Sequence, residues 1–285
     1  MKLQMKYTVF LVLATIFIIL YFSDTPQVEE TITYFPIDSS LQFEQASTHL
    51  VMKETGEETY SLTWKVRSSL DRTAYLRQDV SLLYKNGKLE DTLKNWKQNR
   101  QELSQSAKSK ESESGLYDAI TFHYAELHPT DTIFTSAQQM SKDKLYAVST
   151  PNLQSFHNPL SEEQKEWKNV LDSVTKEITQ HSLDEAKKAF QIDLNQYNII
   201  SLTDLPAKKN QWLSSFPSFQ REEIVGKLWE GLYKNYVLSI KKEDGSTVSP
   251  QGSTIPQLLV AKDQSEILVL FTSKDGTPNL LRQKL

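Results

Sequence analysis

The chain has 285 residues, of which 38% are apolar and 24% charged, with no Cys, 8 Gly and a formal net charge of −4. Without Cys there can be no disulfide framework, thiolate zinc site, Cys nucleophile or iron–sulfur cluster, and scarce Gly disfavours glycine-rich phosphate loops. The acidic balance disfavours nucleic acid as a partner, because phosphate binding needs clustered Lys and Arg.

The N-terminal segment has the pattern of a membrane anchor. Lys2 and Lys6 precede an uninterrupted, mostly apolar run over residues 7–22. As a helix this run is about 24 Å long and can just span a hydrocarbon core of about 30 Å. The basic residues before it place residues 1–6 in the cytoplasm and the chain from about residue 23 outside the cell membrane. The alternative is a cleaved secretory signal, but the residues at the end of the apolar run, over 19–24, include bulky ones where a cleavage site needs small ones.

Strand patterns dominate after a predicted tether over residues 23–30, and residues 31–150 predict a β-rich extracytoplasmic region. The segment Tyr60–Val66 alternates strictly between apolar and polar residues, as in a half-buried antiparallel strand. A second alternating strand ends at Asn86-Gly87, a strong tight-turn signal.

The segment after this turn is ambiguous. Leu89, Leu93, Trp96 and Leu103 fall at helical spacing, whereas Asn86-Gly87 favours a returning strand. We favour a helix over about 90–103, followed by an exposed, mobile polar loop over 104–115.

From residue 151 the period becomes helical, and residues 151–285 predict an α+β extracytoplasmic region. Ser161 with Gln164 forms a capping box that starts one helix, and Ser182 with Glu185 starts a second. The first helix would then end near His181, which would satisfy its C-terminus.

Three further elements complete this region. A strand is predicted over residues 197–202, an amphipathic helix over 218–236 and a three-stranded meander over 257–285. Ile267–Phe271 is continuously apolar, which predicts a central strand that is covered on both faces. Runs of strands with segregated helices predict an α+β fold for the exported part.

The most suggestive chemical cluster is His123, Glu126 and His128. No metalloprotease spacing is met, and on a strand His123 points to the face opposite Glu126 and His128. Glu126 and His128 therefore stay weak candidates for acid–base catalysis, with no metal and no cofactor predicted. The complete motif sets of serine hydrolases and penicillin-binding enzymes are absent.

The segment from Gly226 to Tyr236 contains two Gly inside a predicted helix, where each costs about 1 kcal/mol relative to Ala. Two explanations remain open. Gly226 and Gly231 allow close packing within the fold, or they flank a docking surface for a partner, with Trp229 and Tyr233 as anchors.

Three stretches carry a resemblance to known sequences: Ser136–Met140, Leu228–Tyr236 and Gly252–Pro256. Together with the anchor they resemble an uncharacterised family of single-pass membrane proteins from Bacillus-type bacteria. The likeness covers most of the chain and implies a Gram-positive envelope. No activity and no site residue come with it.

These patterns favour a membrane-anchored extracytoplasmic interaction or regulatory module without catalytic activity. Its expected partners are the lipid bilayer, through residues 7–22, and an envelope or membrane protein. Two alternatives stay open: a ligand-binding module with an aromatic-lined site, and a cell-envelope hydrolase that uses Glu126 and His128.

Overall fold

The computed structural model describes residues 33–56, 59–149, 153–242 and 245–285. They belong to one compact unit that comprises residues 32–285. The predicted cytoplasmic tail, anchor and tether lie outside the described residues. Within the described ranges, no helix combines the length and apolar character needed to cross a membrane.

The larger sheet has seven antiparallel strands, in the order β1-β2-β5-β6-β7, with β3 and β4 both paired to β2. Their bounds are β1 Phe43–Gly56, β2 Thr59–Lys85, β3 Lys88–Leu93, β4 Trp96–Glu111, β5 Gly115–Leu127, β6 Thr135–Val148 and β7 Gln154–Phe156.

The long strand β2 changes partners along its length. Its first half pairs with β1 as far as Leu70, and its second half pairs with β5 from Tyr75 onward. Register shifts lie at this changeover, where β-bulges bend a strand. Trp64 from the first half and Leu83 from the second belong to the same buried cluster, so the two halves face each other across a shared core.

The C-terminal half of the chain adds helices and a second sheet. This sheet has four antiparallel strands in the order β13-β12-β11-β8. A short hairpin, β9 with β10, lies between the last helix and β11. The bounds are α1 Glu162–Phe190, β8 Tyr197–Ser201, α2 Leu205–Trp212, α3 Ser218–Leu232, β9 Ile240–Lys241, β10 Thr247–Val248, β11 Gln257–Ala261, β12 Glu266–Thr272 and β13 Pro278–Lys284.

Helix α3 packs between the two sheets and joins them. Trp229 stacks on Phe122 of the larger sheet, and Tyr236, in the π-helical turn after α3, packs edge-on against Phe271 of the smaller sheet. Helix α1 covers the opposite face of the smaller sheet through Leu183. The predicted regions 31–150 and 151–285 therefore share one core.

Several sequence predictions are confirmed. The fold is α+β, with strand-rich antiparallel sheets and few helices. Ser161 caps α1 by accepting a hydrogen bond from the backbone N–H of Gln164. Asn86 and Gly87 form the tight turn, with φ of 49° and 83°. Ile267–Phe271 lies in a central strand and is buried throughout, as its apolar run predicts.

The predicted helix over 90–103 and the predicted loop over 104–115 are wrong. The segment forms β3 and most of β4, and β4 pairs with β2 as far as Glu111 opposite Tyr60. The turn signal at Asn86-Gly87 outweighs the helical spacing, because the returning strand finds β2 as its partner. Leu103 is fully buried within this strand.

The second predicted helix start is also wrong. Helix α1 runs without a break from Glu162 to Phe190, and Ser182 lies inside it. The Ser182 hydroxyl lies within hydrogen-bonding distance of the hydroxyls of Thr254 and Thr272, at 2.9 and 2.7 Å, instead of capping a helix. His181 consequently lies mid-helix and satisfies no helix C-terminus.

Candidate functional site

The structure does not support the docking surface predicted around Trp229. Trp229 is fully buried and Tyr233 is 3% exposed, so neither can anchor a partner at the surface. The indole N–H of Trp229 donates to the sulfur of Met140 at 3.3 Å. The apolar face of α3 is occupied by the protein's own core, and close packing is the correct explanation for this face.

The two glycines of α3 have different surroundings. A Cβ atom built on Gly226 would lie 2.1 Å from the ring of Tyr34, so this position requires Gly for close packing. A Cβ atom built on Gly231 meets nothing within 4 Å. Gly231 instead borders open space at the surface of the helix.

That open space is a groove of about 560 Å³ between helix α3 and strand β13. We name it the α3–β13 groove. Its apolar floor includes Leu228 from the helix and Val269 from β12. Gly231 lines the helix side of the groove, where it has no side chain to fill the space. The residues that give it charge and hydrogen-bonding groups are Lys227, Glu230, Lys234, Asn235, Arg282 and Gln283.

Charge in the groove is mostly basic. Lys227 pairs with Glu223 at 2.7 Å, Lys234 with Glu230 at 2.6 Å, and Arg282 with Glu266 at 3.0 Å. Glu230 is the acidic side chain among the lining residues, and its second oxygen accepts the backbone N–H of Tyr34 at 2.9 Å. Three of the four charged lining residues are thus basic, and each of the three is paired with a carboxylate.

The groove borders an edge of the smaller sheet, since β13 is the outermost strand. Helix α2 packs beside the opposite edge, β8, where the indole N–H of Trp212 donates to the carbonyl of Asn198 at 3.0 Å. Sequence reasoning missed this site. A glycine inside a helix, at Gly231, was the feature of the sequence that could have indicated the groove. The strand order that leaves β13 at an edge, however, is not a local property of the sequence.

The predicted pair Glu126 and His128 does come together at the end of β5. His128 Nε2 lies 3.3 Å from Glu126, whose other oxygen lies 3.4 Å from Arg77. The His128 ring stacks on Tyr75 with centroids 4.4 Å apart and meets Phe134 edge-on. Ring packing and the Arg77 charge thus hold the pair in place.

His123 is separate from that pair, as predicted, and forms its own buried network. Its Nδ1 lies 2.7 Å from the Ser68 hydroxyl and its Nε2 lies 2.6 Å from the Ser141 hydroxyl. A neutral imidazole has one donor and one acceptor nitrogen, so it can satisfy both hydroxyls. Desolvation lowers the pKa of His123 to about 3, which keeps the ring neutral at ordinary pH.

A second cavity, of about 310 Å³, opens between the two halves of the larger sheet. Leu62, Trp64 and Leu83 form its apolar floor, and Glu90 and Asp91 lie on its rim. Trp64 is 1% exposed, and its indole N–H has no hydrogen-bond partner among the described residues. We name this space the Trp64 cavity. Across the described ranges, no group of three or more His, Asp or Glu side chains is arranged to hold a metal ion.

The fold and its grooves define an α+β protein with two antiparallel sheets joined by a helix that buries its apolar face between them. Comparison with family models, curated proteins and solved structures gave no match.

Proposed function

We propose that this chain is an extracytoplasmic interaction or regulatory module without catalytic activity, held at a cell membrane by residues 7–22. It docks a segment of an envelope or membrane protein in the α3–β13 groove. The observation that carries the proposal is this groove of about 560 Å³ beside the β13 edge, with which no strand of the described residues pairs except β12. Grooves of this size, apolar below and polar at the rim, are typical of binding sites.

The test is site-specific photocrosslinking with the full-length chain in the membrane of a Gram-positive host. The photoreactive residue p-benzoylphenylalanine replaces Gly231 in the groove, where it has space. A matched control replaces Val170, a 52% exposed residue of α1. We expect a light-dependent adduct from Gly231, with the same partner segment identified by mass spectrometry from a second groove position, Asn235.

Two results would contradict the proposal. One is an adduct pattern from Val170 that matches that of Gly231, since the capture would then be unspecific. The other is the absence of any adduct from both groove positions while the variant proteins remain folded and membrane-bound.

A second candidate function, small-ligand binding, is favoured by the Trp64 cavity. The apolar floor and the indole N–H suit a ligand with an apolar body and a hydrogen-bond acceptor, and Glu90, Asp91 and Lys108 add charges of both signs to the lining. Native mass spectrometry of the full-length chain would detect a bound molecule. Its loss in Trp64→Phe, which removes the N–H and keeps an aromatic ring, would support the cavity as its site. Equal retention in both proteins would exclude it.

A further inference from the structure

We infer that the partner segment binds the α3–β13 groove by adding a β-strand to the edge of β13, and that this segment is extended and acidic. The inference rests on the proposed function, because it specifies what the groove binds and how. It follows from the hydrogen-bond register of β13, from the space beside that strand and from the basic side chains on the face that carries Arg282 and Lys284.

The register is fixed at both ends of β13. Before the strand, the N–H of Ser273 donates to the carbonyl of Thr277 at 2.9 Å; after it, the N–H of Leu285 donates to the carbonyl of Ser265 at 3.1 Å. Residues two apart on a strand direct their N–H and C=O groups to the same side. The odd-numbered residues therefore pair with β12, and the even-numbered ones direct their N–H and C=O groups to the open edge: Leu280, Arg282 and Lys284.

An added strand would lie about 4.8 Å from β13, which places it over the groove. Leu281 faces α3 and belongs to the core around that helix, while Leu280 faces α1. An incoming strand would extend both faces of the smaller sheet. Every second side chain of that strand would lie over the groove floor near Leu228. The open space at Gly231 is where a side chain of the partner would fit.

Basic side chains lie on both faces of this edge, and those on the groove side are paired with Glu223 and Glu230. Lys227 and Lys234 lie on the groove side. Arg282 and Lys284 lie on the face that Leu280 shares with α1, because side chains two apart point the same way. Arg282 pairs with Glu266 at 3.0 Å, and Lys284 makes no ion pair within the described ranges. A carboxylate on the Arg282 face of an added strand would therefore meet the ammonium group of Lys284, and the side chains on its other face would lie over the apolar groove floor.

Strand β4, one of the edges of the larger sheet, is less suited to strand addition. Strand β4 pairs with β2 alone and is almost wholly polar, with Lys97, Arg100, Lys108 and Lys110 along it. An added strand would therefore bury little apolar surface against β4. Strand β13 combines an open edge with Leu280 and Leu281 and with the adjoining groove.

The test measures peptide binding to the full-length chain in phosphatidylcholine nanodiscs by fluorescence polarisation. The probe is a fluorescein-labelled peptide of four Glu-Val repeats. Its controls are the same peptide N-methylated at every residue and a peptide of four Lys-Val repeats. We expect both controls to bind at least tenfold more weakly, because one cannot donate backbone hydrogen bonds and the other has the wrong charge.

Protein variants provide an independent measurement. Arg282→Pro removes an outward N–H, a change that edge strands tolerate, whereas Arg282→Ala removes the same charge and keeps the N–H. We expect Arg282→Pro to weaken probe binding at least tenfold and Arg282→Ala to weaken it less than fivefold. Gln283→Pro removes an inward N–H, so it should unfold the strand and serves as the register control.

Strand addition is overturned if the N-methylated peptide binds as well as the probe, or if Arg282→Pro and Arg282→Ala bind it equally. The inference that the partner segment is acidic is overturned if the Lys-Val peptide binds as tightly as the Glu-Val probe, or if the probe shows no binding up to millimolar concentration. In each of these cases a persistent Gly231 crosslink in cells would leave the proposed function standing. Loss of that crosslink would remove the proposed function even if the probe binds.

Discussion

The indole ring of Trp229 stacks on the phenyl ring of Phe122, with ring centroids 5.2 Å apart and ring planes 17° from parallel. This pair joins helix α3 to β5 of the larger sheet, at the centre of the core that both sheets share. The same helix forms one wall of the α3–β13 groove. The position of the groove wall therefore depends on a buried contact on the other side of the helix.

Trp229→Ala is expected to destabilise the fold by about 3–5 kcal/mol, since it empties a large volume in a fully buried position. Trp229→Phe keeps an aromatic ring against Phe122 and should cost less. Urea unfolding followed by circular dichroism measures both changes. A loss below about 1 kcal/mol for Trp229→Ala would contradict the packing of α3 between the sheets.

Local signals were sufficient for the elements that the sequence predicts well. Ser161 caps α1 through Gln164, so its N-terminus is encoded in adjacent residues. The apolar run Ile267–Phe271 encodes a strand with two covered faces. In each case the residues that decide the structure lie within a few positions of one another.

Strand β4 shows where local signals fail. Its stretch from Ser104 to Glu111 has no apolar periodicity, yet it is a strand because β2 provides a hydrogen-bonding partner distant in sequence. The candidate site has the same origin. The sequence shows that Gly231 is unfavourable inside a helix, but the groove beside it exists because β13 is an edge strand.

The two glycines of α3 should respond oppositely to the same substitution. Gly226→Ala places a methyl group 2.1 Å from the Tyr34 ring and should destabilise the fold by about 1–3 kcal/mol. Gly231→Ala meets open space and should stabilise it by up to about 1 kcal/mol through helix propensity. Thermal or urea unfolding gives both values.

A double variant isolates the cause at Gly226. Combining Gly226→Ala with Tyr34→Ala removes the ring that the new methyl group would contact, so the cost of Gly226→Ala should shrink in that background. An equal cost with and without the Tyr34 ring would show that the contact is not responsible.

His123 is expected to make the folded state sensitive to acid. Burial lowers its pKa from 6.5 to about 3 in the folded protein, so below pH 6.5 protons bind the unfolded chain more readily. Its contribution to stability should fall as pH falls between these two values, by about 1.4 kcal/mol per pH unit.

Urea unfolding of the natural protein and of His123→Gln across this pH range measures the contribution. The free-energy difference between the two should change with pH, because Gln does not titrate. His49→Gln alters an exposed histidine of β1 and serves as the control. A pH-independent difference for His123→Gln would argue against a neutral, buried imidazole between Ser68 and Ser141.

Asp118 is expected to make stability depend on pH in the opposite direction. It lies on β5 with its side chain 7% exposed and Oδ2 3.4 Å from the Lys144 ammonium, and Oδ1 has no hydrogen-bond partner among the described residues. Desolvation raises its pKa despite the opposing charges of Lys144 and Lys142. Above its ordinary pKa near 4, the unfolded chain loses this proton more readily, so stability is lost as pH rises toward the raised folded value.

Asp118→Asn removes this penalty. The effect of the substitution on the free energy of unfolding should therefore be more favourable at pH 7 than at pH 4, by about 1 kcal/mol or more for each unit by which the pKa is raised. Asp131→Asn, in an exposed loop, is the matched control. Urea midpoints at the two pH values provide the measurement. If Asp118→Asn instead costs more stability at pH 7 than at pH 4, the pairing with Lys144 outweighs the desolvation of the carboxylate, and the raised pKa is wrong in direction.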